Sequence, residues 1–543
     1  MKTKEPEPEP TAADKKAKVT AKIARWYDNK AAAVSLRFDD SHPSHIKLAV
    51  PVLSHYGMVG TFLINPGNSS YQKHKEEWEK AAVEDGHELG NHTMHHRGAK
   101  DDQEAEYEIG ECSKYIWSLQ PKESKILAFR SGGGTTWTIH KPWSYYREKW
   151  HLISAPNSAS VGVDPEKCKI ADLDGLKVRL ADTIKNRDWV SFYYHAIGYE
   201  KGMGIGEKLF RAQMRHLWRQ RKEIWFGGIA QIHKYREARR KAKIALERVE
   251  PFKLKIDVTC DVDETLYDQP LTVVVTLPKS GWPLEDIQAL DAAGNPIPMR
   301  RRTDRWNEPM LSVPPRTATY YIHVVDPFAG KEPPKRPEEA ERTARDEKTG
   351  LEATLCKWHG GKRSAFSLRF DDSHPTHATT AIPILREYGF RGTFIVNPGN
   401  GNYLKHKDTW EAVAKAGDQE VGNHTMHHKG AKSDDEVEYE IGECARIIWG
   451  MFPNKSKLVN FSRGGGTTWT HTKPFRYWLD KYHLERMYFD RFCPKSNGIS
   501  MADSYGDRVA AFKKVLARGL EHGQWVRTHY HQIGTSEGLG ICE

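Results

Sequence analysis

Residues 35–45 read SLRFDDSHPSH, and residues 367–377 read SLRFDDSHPTH. In both stretches an apolar run with strand character ends at a pair of aspartates. Other segments recur at the same offset of 332 residues, among them GTFLINPGN with GTFIVNPGN, and GNHTMHH with GNHTMHH. A period this long predicts two copies of one domain, since the repeats of solenoid proteins are far shorter.

Within each copy, apolar β-rich runs alternate with helical patterns. AAVSLRF (32–38) and GTFLIN (60–65) predict strands, and HIKLAVPVLSHYG (45–57) predicts an amphipathic helix that ends at Gly57. Strands that alternate with helices predict an α/β fold built on a parallel sheet or barrel. In such folds functional side chains follow the carboxyl ends of the strands, where the aspartate pairs lie.

The segments outside the two copies differ in composition. Residues 250–328 alternate apolar and polar side chains between Gly, Pro and Asn, which predicts a small antiparallel β domain. The second copy has no counterpart of the first copy from about residue 208 onward, so we expect a C-terminally truncated barrel there. The predicted order is a disordered tail (1–20), a first copy (21–240), the β domain (250–328), a charged linker (329–350) and a second copy (351–543).

The composition of the 543-residue chain argues against several classes of protein. No apolar run reaches the roughly 18 residues that a membrane-spanning helix needs, so we expect no membrane span. The seven cysteines contain no CxxC pair, which argues against a disulfide scaffold and a thiolate zinc site. The net charge of +10 comes without a dense basic stripe, so we expect no nucleic-acid partner.

The N-terminal segment leaves the cellular compartment open. MKTKEPEPEPTAADKKAKVT (1–20) has no apolar signal core, so the chain as written is predicted to be cytoplasmic. If a signal has been lost, the protein would instead be extracellular or periplasmic. The oligomeric state is not predicted.

Two histidines four residues apart indicate a metal site. On one helical turn His92 and His96 share a face, and Asp40 would add a carboxylate from another strand end. Two histidines and a carboxylate are typical of open hydrolytic sites; zinc suits this set, and cobalt, nickel and manganese share it. The alternative reading of such histidines is a polar cap or a structural core group. The same pattern recurs in the second copy as Asp372, His424 and His428.

Other polar residues of the first copy also follow predicted strands. Asp39 would take a proton from water beside the ligand Asp40, and its alternative role is a turn. Arg130 opens RSGGG and is predicted to pair with Asp39 and keep it ionised. The glycines that follow Arg130 offer N–H groups to an oxyanion, and His195 after WVSFYY would act as a general acid.

The order of these motifs resembles the polysaccharide deacetylase family, carbohydrate esterase family 4, with its NodB homology domain. RFDD matches the first motif of that family, and HTMHH after GHELGN matches its second, H-[ST]-x-x-H. RSGGG resembles the family's arginine motif less closely, and FYYH resembles its late histidine motif. The resemblance covers both copies.

The resemblance implies two distorted (β/α) barrels and a divalent metal, most often zinc. It implies hydrolysis of an N-acetyl or O-acetyl group on a carbohydrate substrate. It assigns Asp39 as the base, Arg130 as the residue that orients it and His195 as the acid. In the second copy it implies the same catalytic roles for Asp371, Arg463 and His531.

The sequence departs from the family pattern at several positions. Ser131, Gly132 and Gly133 stand where the family often has proline and an aromatic residue, which leaves the usual amino-sugar substrate open. An aspartate–tryptophan fourth motif is not found. His95 and His427 adjoin the predicted ligands and are alternative ligand positions.

We therefore predict a metal-dependent carbohydrate deacetylase with two alternatives. One is a metal-independent amidohydrolase of the same fold that acts on a small cyclic amide. Such relatives tend to lose a ligand histidine, whereas both copies here retain theirs. The other is a catalytically inactive glycan-binding protein, which the missing terminal elements favour for the second copy.

Overall fold

The computed structural model describes residues 9–15, 18–121, 123–279, 281–325, 342–485, 498–500, 508–533 and 540–541. The chain divides into two compact units, Met1–Pro278 with Met310–Tyr321, and Lys279–Pro309 with Ile322–Glu543. Each unit contains one copy of the repeat. Within the described ranges, every helix is too short or too polar to cross a bilayer.

The strands that precede residue 279 are β1 (Thr11–Asp14), β2 (Val19–Ile23), β3 (Ala32–Phe38), β4 (Gly60–Ile64), β5 (Glu88–Asn91), β6 (Gly98–Ala99), β7 (Leu127–Ala128), β8 (Thr136–Trp137), β9 (Leu152–Ile153), β10 (Ser158–Ser160), β11 (Trp189–Tyr194), β12 (Ile224–Phe226), β13 (Ala242–Glu250), β14 (Lys253–Cys260) and β15 (Leu271–Thr276). The helices between them are α1 (Val50–Tyr56), α2 (Ser69–Gln72), α3 (Lys75–Val83), α4 (Asp102–Leu119), α5 (Trp143–Lys149), α6 (Leu173–Lys185), α7 (Glu207–Arg219) and α8 (Ile229–Lys241). A π-helical turn, His45–Ala49, leads into α1.

The later strands are β16 (Ile287–Asp291), β17 (Met299–Arg302), β18 (Arg305–Val313), β19 (Ala318–Val324), β20 (Arg342–Arg345), β21 (Glu352–Leu355), β22 (Ala365–Phe370), β23 (Gly392–Val396), β24 (Glu420–Asn423), β25 (Gly430–Ala431), β26 (Val459–Asn460), β27 (Thr468–His471), β28 (Leu484–Glu485), β29 (Gly498–Ser500), β30 (Trp525–Tyr530), β31 (Gln532–Ile533) and β32 (Gly540–Ile541). The helices are α9 (Ile382–Glu387), α10 (Gly401–Lys405), α11 (Lys407–Ala416), α12 (Asp434–Val437), α13 (Cys444–Met451), α14 (Arg476–Lys481) and α15 (Arg508–His522). π-Helical turns at His377–Ala381 and Glu438–Glu443 lead into α9 and α13.

The first copy is a parallel sheet with helices between its strands, as the sequence predicts. The strand order is β10-β11-β3-β4-β5, and β12 pairs with the start of β3. The predicted strand AAVSLRF coincides with β3, all seven residues of which are buried. The predicted helix end is also confirmed, because Gly57 closes α1 with a left-handed φ of 63°.

The second copy repeats this arrangement in the parallel order β24-β23-β22-β30-β29. In both copies an aromatic stack holds the strands that lead to the aspartate pair. Phe38 stacks on Phe62 at 4.8 Å and on Tyr194 at 5.3 Å between ring centroids. Each of these rings is fully buried, which stabilises the fold by about 1.5–3 kcal/mol per side chain of this size.

Three expectations about the flanking segments differ from the structure. Residues 11–14, predicted within a disordered tail, form β1 and pair antiparallel with β2, whereas residues 1–8 lie outside the described part. Of the predicted β domain, the described residues 250–279 and 281–325 are rich in strands, but they are divided between the two units. Of the predicted linker, 329–341 lies outside the described residues, and 342–345 forms β20, paired with β21. In each copy the described strands form a parallel sheet. That this sheet closes into a barrel stays a prediction.

Candidate metal centre

The predicted site residues of the first copy follow neighbouring parallel strands. Asp39 and Asp40 follow β3, His92 follows β5 and His195 follows β11. Arg130 comes two residues after β7, and its backbone N–H donates to the carbonyl of Asn91 at the end of β5. The carboxyl ends of parallel strands meet at one edge of a sheet, so the fold brings these residues together.

Three side chains of this group converge on one point. Asp40 Oδ1 lies 3.0 Å from His92 Nε2 and 3.1 Å from His96 Nε2. In the second copy Asp372 Oδ1 lies 3.0 Å from His424 Nε2 and 3.2 Å from His428 Nε2. Each trio offers three ligand atoms that all lie within 4.8 Å of one another.

The donor chemistry of the trio fits a divalent cation. His92 Nδ1 lies 2.8 Å from the carbonyl oxygen of Arg130, so this nitrogen carries the proton and donates it. In a neutral ring Nε2 then carries a lone pair, which is directed at the carboxylate of Asp40. Two acceptors at 3.0 Å require a positive charge between them, either a second proton or a metal ion.

The backbone at the trio has a conformation that L-residues rarely adopt. Asp40 has a φ of 77° and His96 a φ of 59°. Their counterparts Asp372 and His428 have φ values of 75° and 58°. Left-handed backbone at non-glycine residues costs about 1–3 kcal/mol and clusters at functional sites. Its recurrence at the same two positions is a second sign that the trio is a built site.

Asp39 is paired with a different arginine from the one predicted. Arg37 Nε and Nη2 donate to the two carboxylate oxygens of Asp39, at 2.8 and 2.7 Å, and both side chains are buried. Arg130 is exposed instead, so the predicted pairing of Arg130 with Asp39 is wrong. Burial raises the pKa of Asp39, but the adjacent Arg37 guanidinium outweighs this and leaves the pKa below its usual value.

The second copy keeps the pair and changes its surroundings. Arg369 makes the same two-bond contact with Asp371, and the pKa of Asp371 falls to about 2 because this charge outweighs the effect of burial. Arg369 Nη2 also donates to Ser462 Oγ at 2.6 Å. The carbonyl of Ser462 accepts from His424 Nδ1 at 2.9 Å. Ser462 therefore occupies the place of Arg130.

Arg463, matched to Arg130 in the sequence, is turned away from the carboxylate pair. It is buried, its Nη1 donates to both oxygens of Glu285 at 3.1 and 2.9 Å, and it lies 3.3 Å from the centre of the Trp306 ring. Burial lowers the pKa of Arg463 to about 10, and Glu285 opposes this shift. Its contacts do not support the predicted role of orienting Asp371.

The two predicted acid histidines lie beside the trio in the same way. His195 Nε2 is 3.8 Å from Asp40 Oδ2, and His531 Nε2 is 3.7 Å from Asp372 Oδ2. Each imidazole is about a quarter exposed and can therefore face a bound substrate. Among the described residues, the buried Nδ1 of His195 has no hydrogen-bond partner.

Comparison with known proteins identifies the two copies. Residues 27–141 and 360–474 each match the family model described as polysaccharide deacetylase. Each copy therefore contains a segment that matches the polysaccharide deacetylase family. The first match spans the aspartate pair, the histidine motif and the glycine loop, and the second match spans their counterparts.

Known relatives differ in length from this chain. Gellan lyase from a Bacillus species is 25% identical over 312 residues, which is 51% of this chain and 12% of that protein. Peptidoglycan deacetylase PdaC from Bacillus subtilis is 17% identical, with a TM-score of 0.26, over 39% of this chain and 94% of that one. A carbohydrate esterase family 4 pseudoenzyme from Bacillus anthracis is 16% identical, with a TM-score of 0.24, over 32% of this chain and 56% of that one.

In both copies the alternative ligand histidine is directed elsewhere. His95 Nδ1 lies 2.8 Å from Glu108 Oε1, and His427 Nδ1 lies 2.8 Å from Glu440 Oε1. Glu108 and Glu440 are fully buried. Among the described residues, the groups that could hold a metal ion contain His96 and His428 but not His95 and His427.

The first glycine of the loop lets the backbone approach the site. A Cβ on Gly132 would lie 2.8 Å from the ring of His96, and one on Gly464 would lie 2.7 Å from His428. Both distances are shorter than real Cβ contacts. The loop therefore packs on a candidate ligand in each domain, with the following glycines exposed at its tip.

Sequence reasoning missed residues that support the site. Arg37 lies on β3, two residues before Asp39, and the alternation of side chains along extended backbone directs both to the same side. That spacing, repeated in LRFDD, could have identified the pair. Asn65 is also missed: its side chain donates to the carbonyl of Thr93 at 3.0 Å and so fixes the histidine turn. The repeated NPGN segment was the available signal.

Proposed function

We propose that the chain is a metal-dependent hydrolase that removes acetyl groups from a carbohydrate. The observation that supports this most strongly is the Asp-His-His trio, present twice with nearly the same distances and the same backbone strain. Both copies of the family match enclose such a trio. A metal-independent amidohydrolase would have to place a second proton, instead of a metal ion, between these two acceptors in both domains.

We propose Asp40, His92 and His96 as the ligands in the first domain. A divalent cation held there would supply Lewis acidity toward water and the acetyl carbonyl, and zinc suits two imidazoles and one carboxylate. The carbonyl of Arg130 fixes the proton of His92 on Nδ1 and so keeps Nε2 free for this role.

The remaining residues of the site divide the proton transfers. Asp39, ionised beside Arg37, accepts the proton of the attacking water. To the N–H groups of the glycine loop after Arg130, which packs on His96, we assign the stabilisation of the oxyanion. His195 then gives a proton to the departing amine or alkoxide. Asp371 and His531 take these two roles in the second domain.

The substrate class we propose is a polysaccharide. The family description and the likeness to gellan lyase both point to a polymer, although the chain spans only 12% of that lyase. We do not extend the lyase reaction to this chain, because the trio is a hydrolytic ligand set. Whether the acetyl group is carried on nitrogen or oxygen is decided by experiment.

The test combines metal content with acetate release. The purified chain is assayed for bound zinc by mass spectrometry and for acetate released from chitin oligosaccharides, acetylated xylan and 4-nitrophenyl acetate, with and without dipicolinate. We expect the wild-type chain to bind two zinc ions. His96→Ala and His428→Ala should each bind one ion, and the double variant should bind none. Acetate release should fall with dipicolinate and return with zinc.

A matched control replaces the neighbouring histidine. His95 is adjacent to the proposed ligand His96, but its side chain contacts Glu108. The His95→Gln variant should therefore still bind two ions. Two ions retained in the His96→Ala/His428→Ala double variant would refute the ligand assignment. Acetate release that is insensitive to dipicolinate would refute metal dependence.

A further inference from the structure

A second pair of residues in SLRFDDSHPSH contacts the loop that carries His195. His45 Nε2 is hydrogen-bonded to the backbone carbonyl of His195. Two residues further along that loop, the N–H of Ile197 donates to Ser44 Oγ at 2.9 Å. The loop is therefore bound at both ends of a three-residue stretch by consecutive side chains.

The protonation of His45 follows from its surroundings. The ring is fully buried among Phe38, Phe62 and Trp78, with centroids 5.4, 6.2 and 6.3 Å away. Its Nδ1 has no hydrogen-bond partner among the described residues. A carbonyl only accepts, so the neutral ring carries its proton on Nε2 and donates it to His195.

Ser44 is oriented by a third residue of the same segment. Its hydroxyl accepts from Ile197 and therefore donates its own proton to His42 Nδ1, 2.8 Å away. The backbone N–H of Ser44 reaches the same nitrogen at 3.2 Å. This fixes the hydroxyl rotor, so that its lone pair is directed at the loop.

The second domain repeats the arrangement with one change of residue. His377 Nε2 is hydrogen-bonded to the carbonyl of His531, and Thr376 Oγ1 accepts from the N–H of Ile533 at 2.9 Å. Thr376 Oγ1 also lies 2.9 Å from His374 Nδ1. Threonine thus replaces serine without loss of the hydroxyl contacts.

We infer that Ser44 and His45 are positioning residues for the general acid His195, an inference that rests on the proposed function. The side chain of His195 has no hydrogen-bonded carboxylate to orient it among the described residues, so its backbone supplies the orientation. The segment that bears the base and one ligand therefore also sets the position of the acid. His45 donates to the carbonyl of His195, and the hydroxyl of Ser44 accepts from the N–H of Ile197; together they hold the backbone of the loop.

The experiment separates acid catalysis from folding by the leaving group. 4-Nitrophenolate departs from its acetate as an anion, whereas the alkoxide of xylose tetraacetate must be protonated. Both substrates are assayed in the full-length Asp371→Asn chain, so that the first domain is measured alone. We expect Ser44→Ala and His45→Leu to lose about 10–100-fold in kcat on xylose tetraacetate, a fraction of the 10²–10⁴-fold that general acid catalysis supplies.

On 4-nitrophenyl acetate the same variants should lose less than about threefold, with bound zinc unchanged. The conservative variants Ser44→Thr and His45→Gln keep the acceptor and the donor, so they should restore most of the activity on xylose tetraacetate. Equal losses on the two substrates, or no loss on xylose tetraacetate, would overturn the inference.

A wild-type chain that binds zinc and hydrolyses neither ester would refute the proposed function instead. The positioning role is then judged by NMR of the chain labelled with [¹⁵N]histidine. His45 should show an Nε2 proton protected from exchange, and the ring resonances of His195 should shift in Ser44→Ala but not in Ser44→Thr. An unprotected Nε2 proton would overturn the inference without any turnover.

Discussion

In the first domain the side chain of Arg130 is exposed at the start of the glycine loop, whereas in the second domain Arg463 is buried against Glu285 and Trp306. The proposed ligands of the two domains nevertheless keep their distances within 0.1 Å. The interactions that place the trio are therefore independent of the arginine side chain in this loop. They come from strand ends, asparagine side chains and backbone carbonyls that both domains share.

The largest expected effect tests whether both domains turn over. Asp39→Asn removes the proposed base of the first domain, and Asp371→Asn removes that of the second. Each should reduce the acetate release of its own domain by about 10²–10⁴-fold, so the double variant should fall by this factor below the wild type in kcat.

Initial rates of acetate release measure this, with the exposed Asp174→Asn as the control variant. A double variant with wild-type activity would contradict the assignment of the bases. A single variant that removes all activity would show that one domain is silent.

The second comparison concerns the arginine of the glycine loop, which is buried beside Glu285 in the second domain and exposed in the first. Glu285→Ala leaves Arg463 buried without this carboxylate, and breaking such a pair costs about 3–5 kcal/mol of unfolding free energy. Arg130→Ala removes an exposed side chain and should change the unfolding free energy by less than about 0.5 kcal/mol.

Urea unfolding followed by tryptophan fluorescence compares the two variants. Glu285→Leu/Arg463→Met removes both charges and should recover most of the loss. Similar costs for Glu285→Ala and Arg130→Ala would show that the buried pair adds nothing to the second domain.

A third difference predicts a pH dependence. His471 is buried, and burial lowers its pKa to about 4 from a usual 6.5, whereas the matching residue of the first domain is Ile139. Between these pH values the unfolded chain binds a proton that the folded chain does not. Stability therefore falls as pH drops from 6.5 to 4, by on the order of 3 kcal/mol.

The urea midpoint measured between pH 7 and 4 tests this, with His471→Ile as the comparison. The variant carries the residue of the first domain and should show a shallower pH dependence than the wild type. An equally steep dependence would assign the acid sensitivity to other groups.

The smallest expected effect concerns a helix start. Glu88 accepts from the backbone N–H groups of Ala230 and Gln231 and from the hydroxyl of Thr61. Glu420, its counterpart in the second domain, is exposed. Glu88→Ala should cost about 0.5–2 kcal/mol of unfolding free energy, as the loss of a helix cap does, and Glu420→Ala less than about 0.5.

Differential scanning calorimetry of both variants measures this difference. The isosteric Glu88→Gln keeps an acceptor and should lose less than Glu88→Ala. Equal effects at Glu88 and Glu420 would show that the helix start does not depend on the carboxylate.

The sequence predicts the strands of each domain well because their signals are local. AAVSLRF, GTFLIN and WVSFYY are apolar runs bounded by turn residues, and each coincides with the core of an observed strand. β1 was missed because alanine and aspartate, which make up three of its four residues, have low β-propensity. The strand is stabilised by pairing with β2, which in turn pairs with β15. Because β15 is distant in sequence from β2, this pairing cannot be predicted from a local sequence pattern.

The candidate site was predictable where spacing alone sets geometry. Two histidines four residues apart and an aspartate at a strand end identify the trio. The pairing of Asp39 was not found, because the exchanged order of Arg130-Ser131 and Ser462-Arg463 conceals which position adjoins the carboxylate. The resemblance favoured Arg130, whereas the alternation of side chains along β3 favours Arg37.

The segment from Asp39 to His45 contains the proposed base, a proposed ligand and both residues that bind the acid loop. These seven consecutive residues thus combine the proposed base, one of the three ligands and the support of the acid, while His92, His96 and His195 come from other strand ends. When such a segment is duplicated, this part of the active geometry is inherited as a block. The rest of each domain is then free to diverge, as the exchange of Arg130 and Ser462 illustrates. A transplant of this heptapeptide would be a compact starting point for engineering hydrolytic sites in related sheets.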